Sequence, residues 1–210
     1  MRLFDSLNEI PPGRAWALSR ASMIKAREIG AARCQWVEEN GIPETCYAEG
    51  GNEVELHAQG VAGEVIFSRI SGLPFDPAIG KIRKEDFTTP DGYTIDVKAR
   101  DNRDPDLLIP EDKANPEKRC DIYVLFRFEY CPDRVVLHYR GYAFGNDAIR
   151  RANLLTLPGK KRPCFLYDRF KLLNRDRGNE WLNSESGDPA SRGRISSEIL
   201  SRTERVFIRF

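Results

Sequence analysis

Two aspartates and a lysine flank a short turn with a spacing that suits metal-assisted chemistry. Asp86 precedes the turn at residues 89–92, and Asp96 and Lys98 follow it. The turn reads Thr-Pro-Asp-Gly, with proline at its second position and glycine at its fourth. This order is typical of a type I turn that ends on a glycine with positive φ. The segment therefore predicts a β-hairpin.

The register of this hairpin decides which side chains share a face. A three-residue loop would pair Thr89 with Tyr93. Counting outward, Phe87 then lies opposite Ile95 and Asp86 lies opposite Asp96. Because side chains alternate along a strand, three apolar residues share one face: Phe87, Ile95 and Val97. Three charged residues share the other face: Asp86, Asp96 and Lys98.

Two directly opposed carboxylates repel each other and destabilise a sheet. A divalent cation turns that repulsion into attraction, and Mg²⁺ usually takes one or two carboxylates together with waters and phosphate oxygens. The ammonium of Lys98 on the same face could orient a water or offset charge on a phosphate. The alternative is an exposed polar strand with an incidental Asp–Lys pair, because this spacing alone is common.

A helix predicted over about residues 52–71 carries a third carboxylate, Glu64. Apolar residues recur there at helical spacing: Val61, Val65 and Ile66. Small residues beside Glu64 would let the helix approach a sheet closely: Gly60, Ala62 and Gly63. A carboxylate at the edge of an apolar stripe needs a partner or a metal. We expect Glu64 to face the hairpin; the alternative is a solvated side chain paired with Arg69.

This order of residues resembles the PD-(D/E)xK nuclease superfamily over about residues 52–150. Glu64 matches the acidic residue of the first core helix, and Asp86 matches the aspartate of the first hairpin strand. Asp96 and Lys98 match the D-x-K pair of the second strand.

The sequence departs from the superfamily pattern at one point. Its literal Pro-Asp pair is Pro90-Asp91, which belongs to the turn. Asp91 lies five residues from Asp96, about 16 Å along an extended strand. We therefore assign the metal role to Asp86 and treat Asp91 as a turn residue.

The resemblance implies an α/β fold with a mixed central β-sheet flanked by helices, as in restriction endonucleases. It implies Mg²⁺-dependent phosphodiester hydrolysis, with DNA favoured over RNA and endonuclease over exonuclease action. Asp86, Asp96, Glu64 and the Val97 carbonyl would hold the cation, and Lys98 would position the nucleophile or neutralise charge. Mn²⁺ is expected to substitute for Mg²⁺, and a homodimer is compatible with this interpretation.

Two other functions are considered. One is a catalytically inert nucleic-acid-binding or structural module with the same fold. The other is an enzyme that uses the same carboxylates on a nucleotide or phosphate ester. The chain has no Walker loop and no dinucleotide-binding glycine motif, which argues against the commonest forms of this second alternative.

Cations after the hairpin are candidates for phosphate contacts: Arg100, Arg103, Lys113, Lys118 and Arg119. A helix predicted from Ala15 to Glu39 carries more: Arg20, Lys25, Arg27 and Arg33. We interpret this second set as the solvated face of an amphipathic helix; a strut along a nucleic-acid backbone is the alternative.

Composition limits the class of protein. The 210 residues include 33 Lys and Arg against 32 Asp and Glu, so a nucleic-acid surface must be local. Five scattered cysteines without a C-x-x-C spacing and only two histidines disfavour zinc and suit a reducing cytoplasm. No apolar run approaches the roughly 20 residues that span a bilayer, so no membrane association is expected.

The chain divides into three predicted parts. Residues 1–50 form an N-terminal helical extension, residues 51–173 a nuclease-like α/β core, and residues 174–210 a polar loop with a C-terminal docking segment. Within the core, residues 121–128 and 135–144 predict strands. A helix is predicted from residue 145 to about residue 155.

Overall fold

The computed structural model describes residues 7, 10, 14–42, 52–80, 84–101, 106–156, 163–168 and 172, and the backbone of 207–208. In these ranges the elements are β1 (Ala15–Ser19), α1 (Arg20–Glu39), α2 (Glu53–Ser71), β2 (Phe87–Thr88), β3 (Thr94–Arg100), β4 (Leu107–Pro110), a 3₁₀-helix (Glu111–Ala114), β5 (Ile122–Tyr130), β6 (Arg134–Phe144), α3 (Gly145–Arg151), β7 (Asn153–Leu155), β8 (Cys164–Tyr167) and β9 (Phe207–Ile208). The predicted α/β class with a mixed sheet is confirmed.

A six-stranded mixed sheet, in the order β2-β3-β5-β6-β1-β9, forms the centre of the described structure. β3 runs parallel to β5 and β1 to β9, and the other neighbours are antiparallel. Thr94 helps to set the β3–β5 register, because its N–H and hydroxyl both donate to Asp121 Oδ2 at 2.8 Å. A second, antiparallel sheet has the order β4-β8-β7.

Each face of the large sheet is covered by its own apolar core. Helices α1 and α2 cover what we call the helical face, whose core includes Met23, Ala26, Ile66, Phe67, Phe87, Ile95, Val97, Phe126, Phe128, Leu137 and Tyr139. We call the other face of this sheet the opposite face. Residues of β4, β8 and α3 cover part of it, and its core includes Leu107, Ile109, Tyr123, Leu125, Ala143, Ala148 and Tyr167. Burial of both faces explains the near-continuous apolar sequence of β5.

The helix predicted to begin at Ala15 is wrong over its first five residues. Residues 15–19 form β1, which pairs antiparallel with β6 and buries Trp16 and Leu18 in alternation. Ser19 then caps α1, since its side chain accepts from the N–H of Ser22 at 3.2 Å. Residues 15–39, which lie in the predicted N-terminal extension, therefore share the sheet and the helical-face core with the residues after 52.

Two predictions concern the C-terminal part of the chain: the helix after residue 145 and the segment 174–210. The helix predicted to reach residue 155 ends at Arg151, and Asn153–Leu155 form β7 because they pair with β8. Residues 174–194 lie outside the described residues. Of the C-terminal segment, Phe207–Ile208 pair in parallel with β1.

Glycines let α1, α2 and β3 pack closely at two places. A Cβ on Gly30 of α1 would lie 2.7 Å from the backbone nitrogen of Ala58. A Cβ on Gly63 of α2 would lie 3.1 Å from the Cβ of Ala99 on β3. At Gly60, by contrast, a Cβ would meet no atom within 4 Å, so the expectation that Gly60 is needed for close packing is wrong.

None of the described helices is long and apolar enough to cross a membrane.

We expect Gly30→Ala and Gly60→Ala to change stability in opposite directions. Gly60→Ala should raise the free energy of unfolding by up to about 1 kcal/mol, the difference in helix propensity. Gly30→Ala should lower it by about 1–3 kcal/mol, because the added methyl forces the two helix backbones apart. Urea denaturation of both variants measures this, and equal stabilisation of both would contradict the close contact at Gly30.

Candidate functional site

The hairpin adopts the predicted turn and register. Phe87 pairs with Ile95, and Thr89 N–H donates to the carbonyl of Tyr93 at 2.9 Å. Gly92 closes the turn with a φ of +86°. Phe87, Ile95 and Val97 all lie in the helical-face core, which confirms the predicted apolar face.

Asp86 lies where the outer strand of the hairpin stops. β2 contains two residues, and just before it Asp86 Oδ2 accepts the N–H of Val97 at 2.7 Å. The N–H of Asp86 donates at 2.9 Å to the carbonyl of Ile95, which is already the register partner of Phe87, so the regular ladder is interrupted at Asp86. Because the N–H and C=O of one strand residue point to the same edge, the Val97 carbonyl also points to this side of β3.

Asp96 and Lys98 lie on the opposite face of β3 and form an ion pair. Lys98 Nζ is 2.7 Å from Asp96 Oδ1, and Asp96 is only 6% exposed. Burial alone would lower the pKa of Lys98, but the carboxylates of Asp96 and Asp86 outweigh it and raise that pKa. Lys98 is therefore a fixed cation at neutral pH and not a proton acceptor.

Glu64 is buried on α2 and is held by a guanidinium from α1. Arg33 Nη1 donates to Glu64 Oε1 at 2.7 Å, and Arg33 Nη2 donates to Oε2 at 3.0 Å. Arg33 Nη2 also lies 3.3 Å from the carbonyl of Asp76. The solvated Glu64 paired with Arg69 that we considered is thus wrong, because the carboxylate is 7% exposed and its ion-pair partner is Arg33.

The three carboxylates influence one another electrostatically. Removal from water, followed by the charges of Asp96 and Glu64, raises the pKa of Asp86 well above its ordinary value. Lys98 and the Val97 N–H act in the other direction without reversing the shift. The cations Lys98 and Arg33 lie beside the carboxylates of Asp86, Asp96 and Glu64. This group of side chains therefore has one net negative charge when all three carboxylates are ionised.

A buried phenol and thiol lie beside Asp96 under the site. Tyr123 is the β5 neighbour of Asp96, and its fully buried hydroxyl accepts from the N–H of Cys120 at 3.3 Å. Cys120 Sγ donates to the carbonyl of Lys84 at 3.0 Å. Burial, with Asp96 adding to it, raises the pKa of Cys120 to about 12. Cys120 is therefore a neutral thiol, which makes it a poor nucleophile.

The cations predicted to bind nucleic acid do not form one group. Arg100 is on β3, on the same face as Lys98. Lys113 Nζ donates to the carbonyl of Lys84 at 2.8 Å, and Lys118 Nζ lies 3.7 Å from Asp112 Oδ2. Arg119 lies partly buried beside the start of α3. Arg103 lies outside the described residues.

Sequence reasoning missed Arg33 as part of the site. Arg33 and Arg27 were both assigned to a solvated face of α1, but both bind carboxylates of α2, Arg27 through Glu55 at 2.9 Å. Arg33 lies 31 residues before Glu64, and no local spacing connects the two. Tyr123 was also missed, since its place depends on the parallel register of β3 and β5.

The donor atoms around Asp86 are the hard oxygens that Mg²⁺ prefers. Asp86, Asp96 and the Val97 carbonyl offer them, and Glu64 offers a third carboxylate that Arg33 already binds. Within the described ranges, no group of three or more His, Cys, Asp or Glu side chains is arranged to hold a metal ion. Mg²⁺ often takes only one or two carboxylates together with waters and substrate oxygens, so Asp86 and Asp96 are the residues of this site that could hold one.

Comparison with protein-family models and with curated proteins gives no match for this chain. Its function has to be inferred from the residues and geometry of the site itself.

We expect Arg33→Gln to destabilise the protein strongly, because it leaves Glu64 buried without a counter-charge beside Asp86. The loss should be about 3 kcal/mol in the free energy of unfolding, as for other broken buried pairs. Adding Glu64→Gln should restore most of it. The matched control is Arg27→Gln, since Arg27 is 49% exposed and its pair with Glu55 should contribute less than about 1 kcal/mol. Denaturant titration of the wild type and the three variants measures this, and equal losses for Arg33→Gln and Arg27→Gln would contradict it.

Proposed function

We propose that this protein is a divalent-cation-dependent nuclease that hydrolyses phosphodiester bonds in DNA, with a restriction-endonuclease-like fold and a site of the PD-(D/E)xK kind. The observation that carries the proposal is the placement of Asp86, Asp96 and Lys98. Asp86, just before β2, and Asp96, on β3, are close enough for their charges to interact, and the Lys98 ammonium lies 2.7 Å from Asp96. Neighbouring buried carboxylates repel each other, and a bound divalent cation would relieve the repulsion that, in addition to burial, raises the pKa of Asp86 beside Lys98.

Asp86, Asp96 and the carbonyl of Val97 would hold the cation. Glu64 would join them if a cation displaced Arg33 from its carboxylate. Bound Mg²⁺ or Mn²⁺ would supply a Lewis acid that polarises the phosphate and lowers the pKa of water.

The residues of the chain perform the remaining tasks. Lys98 carries a fixed positive charge on the side of Asp96, where it can offset negative charge that develops on the phosphate. Tyr123 and Cys120 form an uncharged, buried layer under Asp96, which strengthens electrostatic interactions by excluding water. Arg33 limits repulsion between Glu64 and Asp86 and so keeps α2 close to the hairpin.

One observation favours a second candidate, an inert nucleic-acid-binding module. Lys98 already neutralises Asp96, and Arg33 already neutralises Glu64. A protein that kept the fold and lost the chemistry could keep both ion pairs for stability alone.

The deciding experiment incubates the full chain with supercoiled, linear and branched DNA and with RNA, in Mg²⁺, Mn²⁺ or EDTA. We expect DNA cleavage with either metal and none in EDTA, together with a rise in melting temperature on metal addition. Asp96→Asn, purified identically, controls for a contaminating nuclease. Asp91→Asn, an exposed turn variant, should cleave normally because Asp91 lies outside the site. A chain that binds no divalent cation and cuts no nucleic acid would leave the inert module as the function.

A further inference from the structure

Two side-chain donors converge on one backbone carbonyl just before Asp86. Lys113 Nζ donates to the carbonyl oxygen of Lys84 at 2.8 Å, and Cys120 Sγ donates to the same oxygen at 3.0 Å. A carbonyl oxygen has two lone pairs, so it can accept both donors at once. We call Lys113, Cys120 and the Lys84 carbonyl the Lys84 clamp. Lys84 precedes Asp86 by two residues, which span at most about 7 Å of chain.

Strand pairing alone does not fix the position of Asp86. β2 begins at Phe87, and the N–H of Asp86 donates to the carbonyl of Ile95, the residue that pairs with Phe87. The regular ladder that would hold a strand residue is disrupted at such a point. The Asp86 carboxylate is held from β3 by the Val97 N–H, and the backbone before it is held by the Lys84 clamp. Asp86 is therefore fixed from two sides.

The two donors are themselves held by the layer that covers the opposite face. Cys120 packs in the opposite-face core, and its N–H donates to the hydroxyl of Tyr123 at 3.3 Å. A Cβ on Gly145 would lie 2.0 Å from the Cys120 carbonyl oxygen, so the start of α3 packs directly on this backbone. Lys113 lies in the 3₁₀-helix that follows β4. The position of the Lys84 carbonyl is therefore set by β4, β5 and α3, and not by the hairpin.

The thiol of the clamp lies beside the charges of the proposed cation site. Burial raises the pKa of Cys120 to about 12, and the charges of four neighbours also act on it: Asp96, Lys113, Lys98 and Asp86. Such interactions weaken with distance, so the thiol is close to these side chains. Metal ions bind the thiolate form of cysteine, so this protonated thiol is a hydrogen-bond donor and not a cation ligand.

We propose that Lys113 and Cys120 are positioning residues that hold the Asp86 carboxylate in place through the Lys84 carbonyl. Lys113 thereby takes a different role from the phosphate contact predicted from sequence. Without the two donors, the chain before Asp86 would move, and the carboxylate would leave the Val97 N–H part of the time. A cation would then meet a poorly placed ligand. The effect on cation binding rests on the proposed nuclease function, whereas the placement of Asp86 does not.

The test compares three double variants of the full chain with the wild type. The clamp variant, Lys113→Met with Cys120→Ala, removes both donors. The rescue variant, Lys113→Arg with Cys120→Ser, supplies a new donor at each position. The matched control is Lys118→Met with Cys164→Ala. It removes a lysine of the same β4–β5 connection, 3.7 Å from Asp112, and a buried thiol of β8.

Urea denaturation measures the stability of each variant. Lys113→Met alone, at a partly exposed position, is measured in the same way and stands in for the clamp variant if the double substitution does not fold.

The first readout is hydrogen exchange of the Val97 amide, measured by NMR in EDTA. The Val97 N–H donates to Asp86 Oδ2, whereas the N–H of Lys98, the next residue, points toward β5 and serves as the internal reference. We expect the Val97 amide of the clamp variant to exchange at least about tenfold faster relative to Lys98, because local opening at Asp86 exposes it. A merely structural role would lower the protection of both amides together. The rescue variant and the control should keep the wild-type ratio.

The second readout is the affinity for Mn²⁺, measured by calorimetric titration. We expect the clamp variant to bind Mn²⁺ about tenfold more weakly, the lower end of the range for contacts that orient a metal ligand from behind. Lys113→Met alone should show a smaller loss, and the rescue variant should bind close to the wild-type affinity.

Each outcome decides the proposal. A wild-type exchange ratio in the clamp variant, an equal change in the control, or a change that the rescue variant does not reverse overturns it. Faster exchange at Val97 with unchanged Mn²⁺ affinity overturns the part that concerns the cation. If Val97 exchanges faster as expected but the wild type binds no Mn²⁺, the positioning role is supported and the nuclease function fails. If the wild type binds Mn²⁺ and cleaves DNA but the clamp variant keeps both readouts, the nuclease function is supported and the clamp fails.

Discussion

Asp96→Asn is expected to abolish cation binding and DNA cleavage together, whereas Lys98→Ala should abolish cleavage alone. Asp96 is buried and would be a ligand of the proposed cation, so the amide would keep its shape but lose the charge that attracts the cation. Lys98 carries no ligand atom for a cation, and in the proposed function it would act on the charge that develops in the transition state. We expect each variant to lower kcat by at least about 10²-fold, the size typical of losing one electrostatic contact of this kind.

The 2.7 Å ion pair adds a further difference between the two variants. If Asp96 binds a divalent cation as proposed, Lys98 and that cation would compete for its carboxylate in the wild type. Lys98→Ala removes the competitor, so it should bind Mn²⁺ more tightly than the wild type. In EDTA the same variant should be less stable, because Asp96 and Asp86 then repel each other without an ammonium between them.

Calorimetric titration with Mn²⁺, melting curves in EDTA and single-turnover cleavage measure the three quantities. Asp91→Asn serves as the matched control, since it removes an aspartate of the same hairpin from the exposed turn. Cleavage within tenfold of the wild type by Lys98→Ala would contradict its assigned role, and so would normal cation binding by Asp96→Asn.

The hairpin could be predicted in detail from sequence because local chemistry determines it. Pro90 and Gly92 fix the turn, the turn fixes the register, and the register assigns each side chain to a face. The observed pairing of Phe87 with Ile95 and the burial of Val97 follow from those two residues. The same counting predicts Asp86 opposite Asp96, but the observed ladder ends at Phe87, and the Asp86 carboxylate accepts the Val97 N–H.

The start of α1 could not be predicted in the same way. Ala-Trp-Ala-Leu favours a helix by local propensity, but Trp16 and Leu18 alternate into the core once β6 offers a partner strand. The ion pair between Arg33 of α1 and Glu64 could not be predicted either, because it too depends on tertiary packing. Arg33 reaches Glu64 because Gly30 lets α1 and α2 pack closely, and this depends on tertiary packing that no local spacing encodes.

Asp86→Asn is expected to stabilise the metal-free protein and to abolish cleavage. The amide oxygen of asparagine can still accept the Val97 N–H, so the open edge of β3 keeps its partner. The substitution removes a negative charge beside Asp96 and Glu64, whose repulsion raises the pKa of Asp86. We expect a gain of about 1 kcal/mol, or about 2–4 °C in melting temperature for a chain of this size.

The pH dependence of this gain follows from the direction of the pKa shift. A carboxyl with a raised pKa in the folded state contributes its full stability below its ordinary pKa, where it is protonated in both states. Stability then falls as the pH rises from the ordinary pKa to the raised one, because ionisation is less favourable in the folded state. The stability that Asp86→Asn gains should therefore be absent near the ordinary pKa of an aspartate. It should grow as the pH rises toward the raised pKa of Asp86 and stay constant at higher pH.

Adding a divalent cation should reverse the order of stability. The wild type gains stability from bound Mn²⁺, about 2.7 kcal/mol when the free ion is at a hundred times its Kd, whereas Asp86→Asn has lost a ligand and should gain little. The variant should thus melt above the wild type in EDTA and below it in Mn²⁺, both at neutral pH. A variant that melts lower in both conditions would show that the Asp86 carboxylate stabilises the hairpin by itself. The repulsion among Asp86, Asp96 and Glu64 would then give no reason to place a metal there.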